Sequence, residues 1–140
     1  MNELTCTNLV IVTPIPDVFH PDGHGTPKLL PVIVLAHGGA YRIGSANFAA
    51  YDTAKFAQYA AASEYPVVVV SLNRRLGTLG FVASEDVGAQ GNYTLKDERV
   101  ALKWVRKNIQ EFGGDPGNIT YLGEGTGSAS GSIHLYSPTP

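Results

Sequence analysis

The chain has 140 residues, of which 44% are hydrophobic and 16% are charged, ordinary values for a globular protein with one hydrophobic core. Its formal net charge at pH 7 is −2, and its lysines and arginines are scattered along the sequence. Nucleic acids and membrane surfaces are therefore not expected as partners, because both are recognised by a concentrated basic face. The longest apolar runs are too short to span a bilayer, and no signal peptide is visible.

The first predicted elements are three apolar strands, separated by a loop and a helix. Residues 9–12 predict a strand that ends before two prolines. The polar stretch 17–28, rich in glycine and proline, predicts a surface loop. Residues 32–36 form a continuous apolar run, which is typical of a strand buried in a parallel sheet. A helix is predicted over 53–63, and the β-branched run 67–70 predicts the third strand.

The second half of the chain continues this alternation. Residues 95–112 predict an amphipathic helix that ends at Gly113, and residues 118–122 and 127–135 predict a strand and a further helix. Seven apolar side chains of these segments are expected in the core: Tyr51, Phe56, Tyr59, Val100, Trp104, Val105 and Ile109. No linker or repeat divides the sequence. It therefore predicts one α/β domain over 1–140, with a mostly parallel sheet and helices on both faces.

Metal ligands could come from the loop 17–28, which contains Asp17, His20, Asp22 and His24. Imidazole and carboxylate groups at such spacing can bind zinc, but short polar loops of this composition are common without a metal. Cys6 is the only cysteine, so the chain can form neither an intrachain disulfide nor a thiolate cluster. We expect no metal and no cofactor.

A glycine-rich motif, His37-Gly38-Gly39-Ala40-Tyr41, directly follows the predicted strand 32–36. Consecutive glycines allow the backbone to approach a ligand and to point N–H groups at it. An oxyanion hole needs such fixed donors, aimed at the negative oxygen of a tetrahedral intermediate. A tight turn without a ligand explains the motif equally well.

A second motif, Gly123-Glu124-Gly125-Thr126-Gly127, lies between a predicted strand and a predicted helix. Serine hydrolases place Gly-x-Ser-x-Gly at such a turn, where the helix N-terminus favours developing negative charge. Here the central residue is Gly125, which has no Oγ and cannot form an acyl-enzyme. A dinucleotide-binding turn is the weaker interpretation, because Ser128 stands where its third glycine would be.

Five blocks in family order show that the chain resembles the type-B carboxylesterase and cholinesterase family from about Cys6 to Pro138. The matching segments are 9–14, 31–41, 67–81, 91–116 and 118–138, and they include the strings Asn73-Arg74-Arg75-Leu76-Gly77, Gly91-Asn92-Tyr93 and Phe112-Gly113-Gly114-Asp115-Pro116. The resemblance implies an α/β-hydrolase fold, incomplete here and ending just after the nucleophile-elbow helix. It also implies small-molecule esters as the substrates of the parent family.

The resemblance assigns roles to five residues around the two glycine motifs. The backbone N–H groups of Gly39, Ala40 and Thr126 take the positions of the family's oxyanion donors. Gly125 occupies the position of the nucleophile, and Glu124 matches the acidic residue beside it. Thr126 is larger than the alanine that is usual in the family, and we expect it to crowd the oxyanion site.

Two adjacent arginines are also placed by the resemblance. Arg75 and Asp97 occupy positions that form a buried ion pair in relatives, a structural and not a catalytic feature. Arg74 stands where relatives usually carry tyrosine.

The departures from the family pattern predict loss of catalysis. Gly125 replaces the serine, and the acid and histidine of the family's triad fall beyond residue 140, so all three triad positions are empty. Ser128 and Ser130 are not expected to substitute, because they lie on the predicted helix past the elbow and in no Gly-x-Ser-x-Gly motif. The topology also does not place His37 or His134 within the ~2.6–3.2 Å of the nucleophile's proton that a base needs. The leading hypothesis is thus a shortened, inactive carboxylic-ester hydrolase. The alternative is a non-catalytic binding or adhesion module, as in cholinesterase-like adhesion proteins.

The strand 118–122 would lie at an exposed edge of such an incomplete sheet. Unpaired strand edges recruit another chain or aggregate. We therefore expect self-association through this edge.

Overall fold

The computed structural model describes residues 7–14 and 28–138. The predicted loop 17–28, with its Asp and His residues, lies outside the described residues except for Lys28. Ten helices and strands follow one another along the described chain: β1 (Leu9–Val12), β2 (Leu30–Ala36), α1 (Thr53–Ala62), β3 (Val68–Leu72), α2 (Gly77–Phe81), β4 (Ala83–Ser84), β5 (Ala89–Gln90), α3 (Tyr93–Asn108), β6 (Gly114–Gly123) and α4 (Thr126–Tyr136).

A mixed, mainly parallel sheet of four strands organises the described residues, in the order β1-β3-β2-β6. The central strand β2 is parallel to β3 and to β6, so that Val34 is paired with Val70 on one side and Tyr121 on the other. β1 runs antiparallel to β3 at one edge. The strands and main helices predicted from the sequence are all present, and with them the mostly parallel α/β sheet.

The main apolar core lies between the sheet and α3. It consists of nine buried residues: Leu30, Val32, Val34, Ala36, Val68, Val70, Leu72, Val105 and Ile109. All five residues of β3 are buried, which explains its run of β-branched side chains. Gly113 follows α3 and a short 3₁₀ turn with a φ of 80°, a left-handed conformation that glycine adopts readily and that ends the helix as predicted.

Helix α1 covers the other face of the sheet, where Thr53 and Phe56 face Ile33 and Val69. The Asp52 side chain caps the helix by accepting a hydrogen bond from the Lys55 N–H at 3.0 Å. The prediction that the aromatic residues of this segment belong to the core is wrong for Tyr59, which is 76% exposed, and for Phe56, which is 44% exposed. The small residues of α1, such as Ala57, make its buried contacts instead.

The predicted apolar stripe of α3 is only half correct. Val105 and Ile109 are buried, but Val100 is 67% exposed and Trp104 is 41% exposed. The buried face also carries two carboxylates, Asp97 and Glu98. These charges can be buried because arginines that follow β3 bind them, a tertiary contact that helical periodicity does not reveal.

The segment between β3 and α3 contains elements that the sequence analysis missed. They are the short helix α2 and the hairpin of β4 and β5. Gly80 allows α2 to pack closely, because a β-carbon there would lie 2.2 Å from Oγ1 of Thr94 in α3. Both elements are too short to produce a periodic sequence pattern.

β6 lies at an edge of the sheet among the described strands, where we expected it, and Leu122 is 45% exposed there. Self-association through this edge stays a prediction. In the described part of the chain, no helix is long and apolar enough to cross a bilayer.

An ion pair between Arg75 and Asp97 joins the end of β3 to α3. The Arg75 guanidinium donates to both Asp97 carboxylate oxygens, at 2.8 and 2.6 Å, and the Arg75 backbone N–H donates to the same carboxylate at 3.0 Å. The Asp97 side chain is 8% exposed and that of Arg75 is 26% exposed. Three donors on one buried carboxylate make this contact a structural tie between strand and helix.

We expect Asp97→Asn to lower the free energy of unfolding by about 3 kcal/mol, since it leaves a largely buried guanidinium without its counter-charge. Urea denaturation would measure this. Lys55→Met is the matched control, because it breaks an ion pair at an exposed site and should change stability much less than Asp97→Asn does. Equal effects of the two substitutions would contradict a structural role for the Arg75–Asp97 pair.

Candidate active site

A sharp turn joins β6 to α4 and has the geometry of a nucleophile elbow. Gly125 lies at its apex with φ 52° and ψ −114°, a conformation that residues with a side chain rarely adopt. The Gly127 N–H donates to the Glu124 carbonyl at 2.8 Å, which closes the turn. Helix α4 begins at Thr126, so residue 125 stands at a helix N-terminus.

The outer glycines of the elbow are required by packing, whereas the central one is not. A β-carbon at position 127 would lie 2.1 Å from the Ala36 carbonyl oxygen, and one at 123 would lie 2.4 Å from the Ser128 nitrogen. At position 125 the nearest atom to such a carbon is the Gly38 Cα, at 3.8 Å. The elbow therefore has room for a side chain at its apex.

The loop after β2 lies against this elbow in a strained, left-handed conformation. Gly39, Ala40 and Tyr41 have φ values of 94°, 54° and 58°. The Gly39 carbonyl accepts hydrogen bonds from the N–H groups of Arg42, at 2.9 Å, and Ile43, at 3.1 Å. A loop held in this way can keep backbone donors fixed beside residue 125, as an oxyanion hole requires. The structure thus brings the two glycine motifs together.

Glu124 contacts the loop after β2 (residues 38–41, called here the oxyanion loop) through Tyr51, a residue that the sequence analysis assigned to the core. The Tyr51 hydroxyl donates to the Glu124 carboxylate at 2.7 Å and accepts from the Gly38 N–H at 3.1 Å. The bond to Glu124 raises the pKa of Tyr51, so that its hydroxyl keeps its proton. Sequence reasoning could not find Tyr51, because no motif marks it and its contacts join distant segments.

His37 is fully buried next to the oxyanion loop. Its Nδ1 lies 2.8 Å from the Gly38 carbonyl oxygen, so this nitrogen carries the proton of the neutral ring. Burial lowers the pKa of His37, and the nearby Arg74 guanidinium acts in the same direction. His37 is therefore held neutral in the interior, with its Nε2 buried and without a hydrogen-bond partner among the described residues.

Two further candidates for catalysis have hydrogen-bond partners, whereas Ser128 is exposed in the first turn of α4. His134 Nε2 lies 2.9 Å from a carboxylate oxygen of Glu98, and the buried Ser130 hydroxyl lies 3.0 Å from that of Tyr41. Oγ1 of Thr126 is buried and has no hydrogen-bond partner among the described residues. No group of three or more metal-ligating side chains occurs in the part of the chain that the structure describes.

A mainly parallel sheet with flanking helices, an elbow after β6 and a glycine-rich loop after β2 match part of an esterase α/β-hydrolase fold. The solved structure of a thermophilic pNB esterase is similar to this chain, with a TM-score of 0.77 and 40% sequence identity. The superposition covers 95% of this chain and 25% of the esterase chain. The family model described as "Carboxylesterase family" matches residues 11–140. The chain belongs to the carboxylesterase family.

Curated relatives include animal and bacterial esterases. Cholinesterase 1 of Branchiostoma lanceolatum is 46% identical over 80% of this chain and 30% of its own length. For the bile salt-activated lipase of Homo sapiens the identity is 44%, over 78% of this chain and 15% of that protein. The para-nitrobenzyl esterase of Bacillus subtilis is also 44% identical, over 87% of this chain and 24% of its own length. The chain thus spans less than a third of each of these relatives.

Acid should destabilise the protein through His37. Its pKa in the folded state lies below its ordinary value of about 6.5, so the unfolded chain binds the proton more readily between these two values. The contribution of neutral His37 to the free energy of unfolding is therefore fully present above pH ~6.5. It falls as the pH drops toward the folded pKa, by up to ~1.4 kcal/mol per pH unit for one proton.

Urea denaturation between pH 5 and 8 would measure this dependence, with His37→Asn as the variant that removes the titration. We expect the slope below pH 6.5 to decrease in the variant. An unchanged slope would show that His37 does not cause the acid sensitivity.

Proposed function

We propose that this chain is a catalytically inactive member of the carboxylic-ester hydrolases. The observation that carries the proposal is Gly125 at the apex of an elbow that otherwise keeps its geometry. Acyl transfer in serine esterases needs an Oγ at this point to attack the carbonyl carbon of the ester. In a well-studied serine protease, loss of the nucleophile alone lowers kcat by about 2 × 10⁶-fold. A loss of this size would leave hydrolysis orders of magnitude below that of an active esterase.

The environment of the elbow supports the same proposal. A general base has to reach the nucleophile's proton, and histidine is the usual base. Of the histidines that the structure describes, His37 is bound to the Gly38 carbonyl and His134 to Glu98. No atom of either histidine lies within 4 Å of a β-carbon at position 125. The carboxylate next to the apex, that of Glu124, already accepts a hydrogen bond from the Tyr51 hydroxyl.

A non-catalytic binding module is the second candidate function. It is favoured by the survival of the oxyanion loop and the helix N-terminus of α4 around an elbow without a nucleophile. Backbone N–H groups fixed in this way can hold the carbonyl or carboxylate oxygen of a small ester or acid without any turnover. Small-molecule esters are the ligand class that the names of the relatives suggest.

Hydrolysis of p-nitrophenyl butyrate by the full chain tests inactivity. We expect a rate orders of magnitude below that of an active esterase, no burst of p-nitrophenol, and no labelling by a fluorophosphonate, which reacts with activated serines. The Bacillus subtilis para-nitrobenzyl esterase serves as the positive control. A burst, or a labelled serine such as Ser128, would overturn the proposal.

A titration with butyrate, followed by ¹⁵N-¹H spectra, separates the two candidates. Shifts confined to the amides of Gly39, Ala40 and Thr126 would support a binding module. Their absence would leave an inactive fold that does not bind this ligand class through its oxyanion loop.

A further inference from the structure

The peptide between His37 and Gly38 is held at both ends by side chains from other elements. On one side, Nη2 of Arg74 donates to the His37 carbonyl oxygen at 2.6 Å. On the other side, the Gly38 N–H donates to the Tyr51 hydroxyl at 3.1 Å. Because a peptide unit is planar, fixing its C=O and its N–H together fixes its orientation. This unit, called here the 37–38 peptide, leads directly into the oxyanion loop.

Arg74 is itself anchored in the protein interior. Its Nη1 donates to a carboxylate oxygen of Glu98 in α3, and both side chains are fully buried. The other Glu98 oxygen lies 2.9 Å from His134 in α4. The planar guanidinium can reach Glu98 and the His37 carbonyl at the same time because its two Nη groups point in fixed, different directions. One side chain thereby ties the start of the oxyanion loop to two helices.

The hydrogen-bonded chain returns to the elbow at its other end. Tyr51, which accepts from the 37–38 peptide, donates to Glu124, the residue before the elbow apex. The sequence of contacts thus starts at His134 near the C-terminal end of α4 and ends two residues before α4 begins. The 37–38 peptide lies in the middle of this chain.

We propose that Arg74 is a positioning residue of the oxyanion loop: it orients the 37–38 peptide and links that orientation, through Glu98 and His134, to the helix that follows the elbow. The proposal rests on the proposed function only in naming the loop an oxyanion loop. Buried ion pairs add little net stability, because desolvation offsets their attraction. A role in fixing one backbone conformation therefore accounts for the burial of this pair better than a contribution to stability does.

Amide hydrogen exchange and the ¹⁵N shift of Gly38 test this role in the full 140-residue chain. Arg74→Lys keeps the buried charge, but a lysine cannot hold Glu98 and the His37 carbonyl with one planar fork. We expect the Gly38 amide to exchange about tenfold faster or more relative to the amides of β2, as loss of a charge-assisted hydrogen bond implies. The Gly38 ¹⁵N shift should also move, since the His37 carbonyl of the same peptide loses the guanidinium as its hydrogen-bond donor.

Val105→Ala is the control, because it weakens the core far from the oxyanion loop and should accelerate exchange throughout the protein without moving the Gly38 ¹⁵N shift. Should Arg74→Lys fail to fold, the same measurement is made on the double variant Arg74→Met, Glu98→Leu, which removes both buried charges. The proposal is overturned if Gly38 behaves as in the control. Neither readout depends on ester hydrolysis, so catalytic activity in the chain would contradict the proposed function and leave this test intact.

Discussion

The close approach of the first turn of α4 to the end of β2 is the constraint on which the rest of the site depends. The Ala36 carbonyl accepts a hydrogen bond from the Glu124 N–H at 3.2 Å, and it leaves no space for a side chain at Gly127. Because α4 packs so closely against β2, the turn that leads from β6 into α4 has to pass through the conformation seen at Gly125. Packing at Gly123 and at Gly127 thus sets the geometry of the elbow, whatever residue stands at its apex.

Apolar packing places the main elements, and polar contacts orient the loop after β2. The valine-rich core places β2, β3 and α3, but the orientation of the loop after β2 depends on Arg74 and Tyr51, which hold opposite ends of one peptide. Non-glycine residues in left-handed conformations, such as Ala40, cost of order 1–3 kcal/mol and persist only where the surroundings over-determine them. The loop therefore keeps its left-handed conformation beside an elbow whose apex residue is a glycine.

Elements with a long or uniform pattern were predictable from the sequence, and contacts between distant segments were not. The run 67–70 and the glycine motifs placed β3, the oxyanion loop and the elbow, because β-branched residues and paired glycines have local structural causes. The inward face of α3 was predicted wrongly, because Trp104 is partly exposed and Glu98 is buried. Glu98 can be buried because it binds Arg74, which lies 24 residues earlier in the chain. Tyr51 joined the site through contacts with Gly38 and Glu124 that no local pattern encodes.

The most direct test of this account is a crystal structure of the Gly125→Ser variant, together with its free energy of unfolding. If packing at positions 123 and 127 sets the elbow, residue 125 will keep a positive φ near 52°, the new hydroxyl will stand beside Gly38, and stability will fall by about 1–3 kcal/mol from backbone strain. A residue 125 that relaxes to negative φ, with α4 displaced from Ala36, would contradict the claim. It would show that glycine itself creates the turn.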